Sequence, residues 1–148
     1  MPVISVARSL TAVEFGYLIV AWFALPIVDL QLRRQGYVRT KAWLDARVAR
    51  TQARRDSQPA RALPDTELFA HRIARVVGIA ARRTPWRTTC LRQALLLHHL
   101  LARRGIASDL RIGVRTAADG FAAHAWVERH GAVLIGGDES AHTYSALI

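Results

Sequence analysis

The chain has 148 residues, 51% of them apolar, and carries a formal charge of +10 from 21 Lys and Arg against 11 Asp and Glu. That fits one domain with a real core, or one domain plus a helical arm. The single cysteine excludes an internal disulfide and suits a reducing compartment, while zinc-finger spacings and glycine-rich phosphate loops are absent, so no metal or cofactor is expected.

In chain order, residues 9–34 predict a helix. Ser9 or Thr11 can cap it, and Glu14, three residues after Thr11, completes a capping-box pattern. The apolar run Phe15–Val28 holds Pro26, lacks a following cleavage site and is shorter than a membrane span needs, so it reads as a buried or partner-covered helix with no transmembrane span. A lesser reading is peripheral membrane contact through Trp22, Phe23 and Arg33-Arg34. Gly36 stops this helix, and residues 38–54 predict a second with Trp43, Leu44 and Val48 as a thin apolar stripe. Residues 55–64 read as a loop.

A third helix begins after Pro64, capped by Asp65 or Thr66, with Leu68, Phe69, Ile73, Val76 and Val77 at helical spacing, and ends near Arg83. A fourth runs from about Thr89 to Arg103, capped by Thr88 or Thr89 and closed by Gly105. Alternation then replaces helical spacing. Residues 107–114 and 121–129 predict strands around a turn at 117–120, and His130-Gly131 is a tight hairpin turn into 132–135. Gly136-Gly137 ends the last strand and a short tail follows. The class is α+β, with a C-terminal antiparallel meander.

Cys90 opens the fourth helix, where unsatisfied N–H groups favour a thiolate, and Arg87 adds positive charge. His124 lies on the second strand between Ala123 and Ala125, sharing a face with Trp126. Asp138 follows the third strand and is positioned to hold the imidazole if the hairpin pairing extends that far; Glu128 and Glu139 compete for that role, and a bulge near Gly136-Gly137 shifts which residue reaches it. Cysteine, histidine and aspartate make a nucleophile, base and orienter set. The Cys90 backbone N–H is the natural first oxyanion donor, and the Trp86 indole or a backbone group near it is a second; Trp86 and Trp126 are the substrate or oxyanion candidates, and otherwise only pack. His98 and His99 point away from Cys90 and read as structural. The bland readings are a buried core cysteine and a satisfied structural histidine.

The run Trp86-Arg87-Thr88-Thr89-Cys90-Leu91, then Ala94-Leu95, residues 100–107 (Leu-Leu-Ala-Arg-Arg-Gly-Ile-Ala), Leu110–Val114 and Ala123-His124-Ala125-Trp126-Val127-Glu128 resembles the transglutaminase-like cysteine proteases of lasso peptide biosynthesis, over most of residues 66–138. The resemblance implies a papain/transglutaminase-like protease core over 61–148, a Cys-bearing helix on a small antiparallel sheet, preceded by an N-terminal helical region over 1–60. It implies removal of the leader from a ribosomally made precursor before a separate lasso cyclase acts, with Cys90 as nucleophile and His124 as base. The family's acid follows on the next strand, where this sequence offers Gly136-Gly137-Asp138. A fused winged-helix leader-binding module is not expected here. A separate leader-recognition protein then delivers the precursor, with helix 9–34 as its docking surface, in the cytoplasm.

Nearly all the positive charge is arginine, Lys41 being the only lysine. It could hold an acidic leader or the recognition protein, or be a solvated face. The alternatives are acyl transfer to an amine by the same site, and a non-enzymatic basic module for nucleic acid or an acidic protein. Against nucleic acid, no recognition-helix motif or aromatic-basic interleave is evident.

Overall fold

Thr11 and Glu14 start the first helix by exchanging hydrogen bonds: the Thr11 N–H donates to Glu14 Oε2 at 2.7 Å, and the Glu14 N–H donates to Thr11 Oγ1 at 3.3 Å. This is the expected capping box. Glu14 is buried, and the Thr11 N–H, the largest influence on it, holds its carboxyl below the ordinary carboxylate value. The computed structural model describes residues 10–56, 65–86, 88–117, 120–137 and 144–147. Ser9, the 57–64 part of the expected loop, Arg87, Asp138 and Glu139 lie outside the described residues.

Helix α1 spans Ala12–Asp56, continuing through Pro26 and breaking its helical geometry at Gly36 (φ 73°, ψ 178°). The two expected helices are therefore two arms, residues 12–35 and 37–56, hinged at the one residue type that takes this φ without strain. Both arms turn their apolar side chains to the same place: Val28 from the first and Leu44 from the second are buried together with Leu95.

Helix α2 spans Thr66–Arg83, with Asp65 Oδ1 accepting from the Leu68 N–H at 3.2 Å as its N-cap. Helix α3 spans Cys90–Ala102. Gly105 (φ 74°) closes it, letting the Ile106 N–H reach the Leu101 carbonyl at 3.0 Å while Ile106 itself is buried. Arg92 of α3 pairs with Asp29 of α1 at 2.5 Å, with both side chains largely covered.

The strands are β1 (Asp109–Ala117), β2 (Gly120–Arg129), β3 (Ala132–Ile135) and β4 (Ser145–Ala146). They form one antiparallel sheet in the order β3-β2-β1-β4. Strand β1 starts later and runs further than the alternation predicts, because the β1–β2 hairpin pairs Asp109↔Glu128 through to Ala117↔Gly120. His130 (φ 48°) and Gly131 (φ 80°) make the tight β2–β3 turn. Val127 pairs with Ile135 but Glu128 pairs with Val133, so Leu134 is an inserted residue, a bulge inside β3 rather than at Gly136-Gly137. Strand β4 has two residues, too few to show alternation in the sequence.

The architecture is α+β: helices α2 and α3 pack on one face of a small antiparallel sheet, and α1 packs on those two helices. The main core joins Ala21 and Leu25 of α1, Ile73 and Val77 of α2, Leu96, Leu97 and Leu101 of α3, and Ala125 and Val127 of β2. The region expected to precede the core thus shares its packing.

Candidate active site

Alternation along β2 sets the stage. Ala125 and Val127 point into the helical core. His124, Trp126 and Glu128 take the reverse face, with Gly113 of β1 opposite His124 in the register. Ala123, the next position on the helix-facing side, is exposed, so helical cover of β2 ends beside His124.

The His124 ring is fixed by a backbone group. Its Nε2 lies 2.6 Å from the Gly136 carbonyl oxygen. A carbonyl only accepts, so Nε2 carries the proton, and in the neutral ring Nδ1 keeps the basic lone pair. The ring stacks on Trp126 with centroids 6.1 Å apart and tilts over Tyr144 at 5.2 Å. Both glycines on this face are demanded by the close packing. A Cβ at Gly136 (φ 114°) would sit 2.9 Å from Trp126 Cα, and one at Gly113 would sit 2.8 Å from the Trp126 ring.

Trp126 is buried and gives its indole N–H to Glu128 Oε1 at 2.6 Å. Arg111 also approaches Glu128, at 3.6 Å. Two expectations change. The Trp126 N–H is committed to a carboxylate rather than open to an oxyanion, and Glu128 is engaged by Trp126 and Arg111 rather than orienting His124. Trp86 is exposed in the turn before α3, and its carbonyl accepts from the Thr84 hydroxyl at 3.1 Å.

Cys90 is half-buried at the first position of α3 and packs against the same cluster that contains Ala125, the neighbour of His124. Among the described residues no hydrogen bond joins its thiol to the imidazole: Cys90 packs with Ala125 on the helix-facing side of β2, whereas His124 takes the reverse face, so the structure does not bring the two side chains together. Thr89 occupies the N-cap position, but its side chain makes no capping bond. The Arg92 and Gln93 N–H groups turn back to the Thr89 carbonyl, at 3.1 and 3.3 Å. The N–H groups of Cys90 and Leu91 find no acceptor among the described residues, and face the N-terminal end of the helix. Thr88, the other expected cap, instead donates to the Ala81 carbonyl at 3.3 Å and accepts from Gln93 Nε2 at 3.3 Å, tying the start of α3 to the end of α2.

His98 and His99 take no part. His98 Nδ1 meets Ser108 Oγ at 3.0 Å, and His99 is buried. Burial drives both below the ordinary histidine value, His99 to about 4 with Arg103 and Arg47 adding to the effect. Among the described residues no group of three or more His, Cys, Asp or Glu could hold a metal.

Sequence reasoning missed the Gly136 carbonyl and Tyr144. The Gly136-Gly137 doublet was a visible signal of close backbone approach; Tyr144, in the tail, gave none.

Residues 27–148 match the family model described as the transglutaminase-like superfamily. Comparison with curated proteins and with solved structures gives no match.

Proposed function

The chain belongs to the transglutaminase-like superfamily, whose activities are of the cysteine protease or acyltransferase type, and we propose that it is a cysteine peptidase that removes the leader from a lasso peptide precursor. The observation that carries the chemistry is the Nε2–H of His124 held by the Gly136 carbonyl, which turns Nδ1 into the base. The leader-peptide assignment rests on the motifs around Cys90 and His124.

In this reading His124 Nδ1 takes the Cys90 thiol proton and the thiolate attacks the scissile carbonyl carbon. The open N–H groups at the start of α3 receive the oxyanion. His124, now imidazolium with its Nε2–H on a carbonyl dipole, protonates the departing amine. A thioester remains on Cys90. Water then gives a proton to His124 and its oxygen to the thioester carbon, releasing the carboxylic acid and restoring the thiol. The reading requires thiol and imidazole, which lie on opposite sides of β2 in this structure, to come within bonding distance in the substrate complex. Asp138 is proposed to support the imidazole as a secondary group. A separate recognition protein delivers the precursor and a cyclase consumes the core peptide.

The test is mass spectrometry of a precursor from a neighbouring gene, incubated with this chain with and without its recognition partner. Hydrolysis yields free leader and core with one added water; acyl transfer to an amine instead yields a leader bearing that amine. An intact precursor under both conditions contradicts the peptidase reading.

A further inference from the structure

The first arm of α1 is apolar on two sides. Its inner side, Ala21, Leu25 and Val28, is buried in the core. Its outer side, Val13, Val20, Phe23, Ile27 and Leu30, recurs at helical spacing and is exposed, Phe23 by 66%. The helix contains an 18-residue window of mean hydropathy 1.7 of which only 22% is buried, long and apolar enough by length and composition to cross a membrane. Crossing would strip Ala21, Leu25 and Val28 from the core and break the Arg92–Asp29 ion pair.

A second, independent feature adjoins this side. An open trough of about 630 Å³ is bordered by Val13, Gly16, Val20 and Leu100. It shares Thr51 and Arg103 with a smaller cavity of about 210 Å³ lined also by Arg47, Arg50 and Arg54. Among the described residues these four arginines form no ion pair. Arg47 instead lies over the Trp43 ring at 4.8 Å, and Arg50 Nε donates to the Ala46 carbonyl at 3.2 Å. Four guanidiniums around one cavity repel each other unless an anion sits among them.

We infer that this side of α1 is an interfacial surface that lies on an anionic bilayer, with the outer apolar row in the acyl boundary and the Arg47–Arg50–Arg54–Arg103 cluster on lipid phosphates. A free phosphate accounts for the arginines but not for the apolar row. A purely apolar protein partner accounts for the row but not for the arginines. An anionic lipid surface meets both, and the inner row's burial keeps the helix on the surface rather than through it. This inference is independent of the peptidase chemistry.

The experiment is flotation of the full chain with vesicles of phosphatidylcholine alone and of phosphatidylcholine mixed with phosphatidylglycerol. Flotation is expected with the mixed vesicles only, weakening as salt is raised. Arg50→Gln/Arg54→Gln should lower partitioning by about thirtyfold, roughly a factor of five for each arginine. Phe23→Asp/Ile27→Asp should abolish it. These four positions are exposed, and matching thermal melts by circular dichroism establish that both variants fold. Equal partitioning to neutral vesicles, or none to mixed ones, overturns the inference. So does release by millimolar inorganic phosphate with Phe23→Asp/Ile27→Asp still floating, which identifies a soluble phosphate site. A dimer that Phe23→Asp/Ile27→Asp dissolves, without flotation of the parent chain, overturns it in favour of a second copy.

Discussion

His124 donates its Nε2–H to the carbonyl of Gly136 across 2.6 Å, so a backbone group rather than a side chain sets the tautomer of this ring. Gly136 can bring its carbonyl there because it has φ 114° and no Cβ to strike Trp126. Gly136→Ala should therefore lower stability by about 1–3 kcal/mol through strain and overlap, and lower kcat at least tenfold through loss of the ring's orientation. Urea titration and leader-release kinetics read the two effects. Unchanged turnover in a folded Gly136→Ala variant contradicts the positioning role.

Trp126→Phe separates packing from catalysis. The indole N–H serves Glu128, so its loss should cost about 1.5–3 kcal/mol of stability, read by urea titration, and leave kcat within a few-fold. Loss of kcat by about a hundredfold or more with stability unchanged is the signature of an oxyanion donor and contradicts the assignment of the N–H to Glu128.

Asp138→Asn should slow leader release far less than Cys90→Ala or His124→Ala. The His124 Nε2–H already has the Gly136 carbonyl as its acceptor, so the proposed support by Asp138 is additional. Single-turnover rates of the three variants decide it. A loss for Asp138→Asn equal to that of His124→Ala makes the carboxylate, not the carbonyl, the essential orienter.

Acid should destabilise the fold through the buried histidines. His99 is pushed from 6.5 to about 4 by burial, then by Arg103 and Arg47, and His98 is lowered too, so the unfolded chain binds more protons in this range. Stability is full above pH 6.5 and falls as pH drops toward 4, by about 3 kcal/mol for His99 alone. Glu14, lowered in the native state, adds a further loss below its ordinary 4.5. Urea midpoints for the parent chain and His99→Leu at neutral pH and near the lower end of this window test the point. A parent chain equally stable at both, or a His99→Leu variant with the full parental loss, contradicts it.

Local chemistry made much of this architecture legible. The Thr11–Glu14 box, the Asp65 cap, the Gly105 closure and the His130-Gly131 turn each depend on residues within a few positions of one another, and each forms as its residue types dictate. Gly36 was legible as a break, but not as the hinge that brings Val28 and Leu44 onto Leu95, because that depends on what α3 offers. Strand β4 and Tyr144 were not legible: two residues carry no period, and their place comes from pairing with Gly113 and Val114. At the site, Cys90 and His124 were singled out by residue type and neighbours. The bulge at Leu134 and the engagement of Glu128 by Trp126 depend on register, which one strand alone does not encode.

The central claim is that the Cys90 sulfur is the nucleophile. Its most direct test is the rate of leader release by Cys90→Ala, shown by circular dichroism to be folded, against the parent chain on the same precursor and recognition partner. Abolished release with the native melt retained is the predicted result. Release at the parental rate from the folded variant contradicts the account.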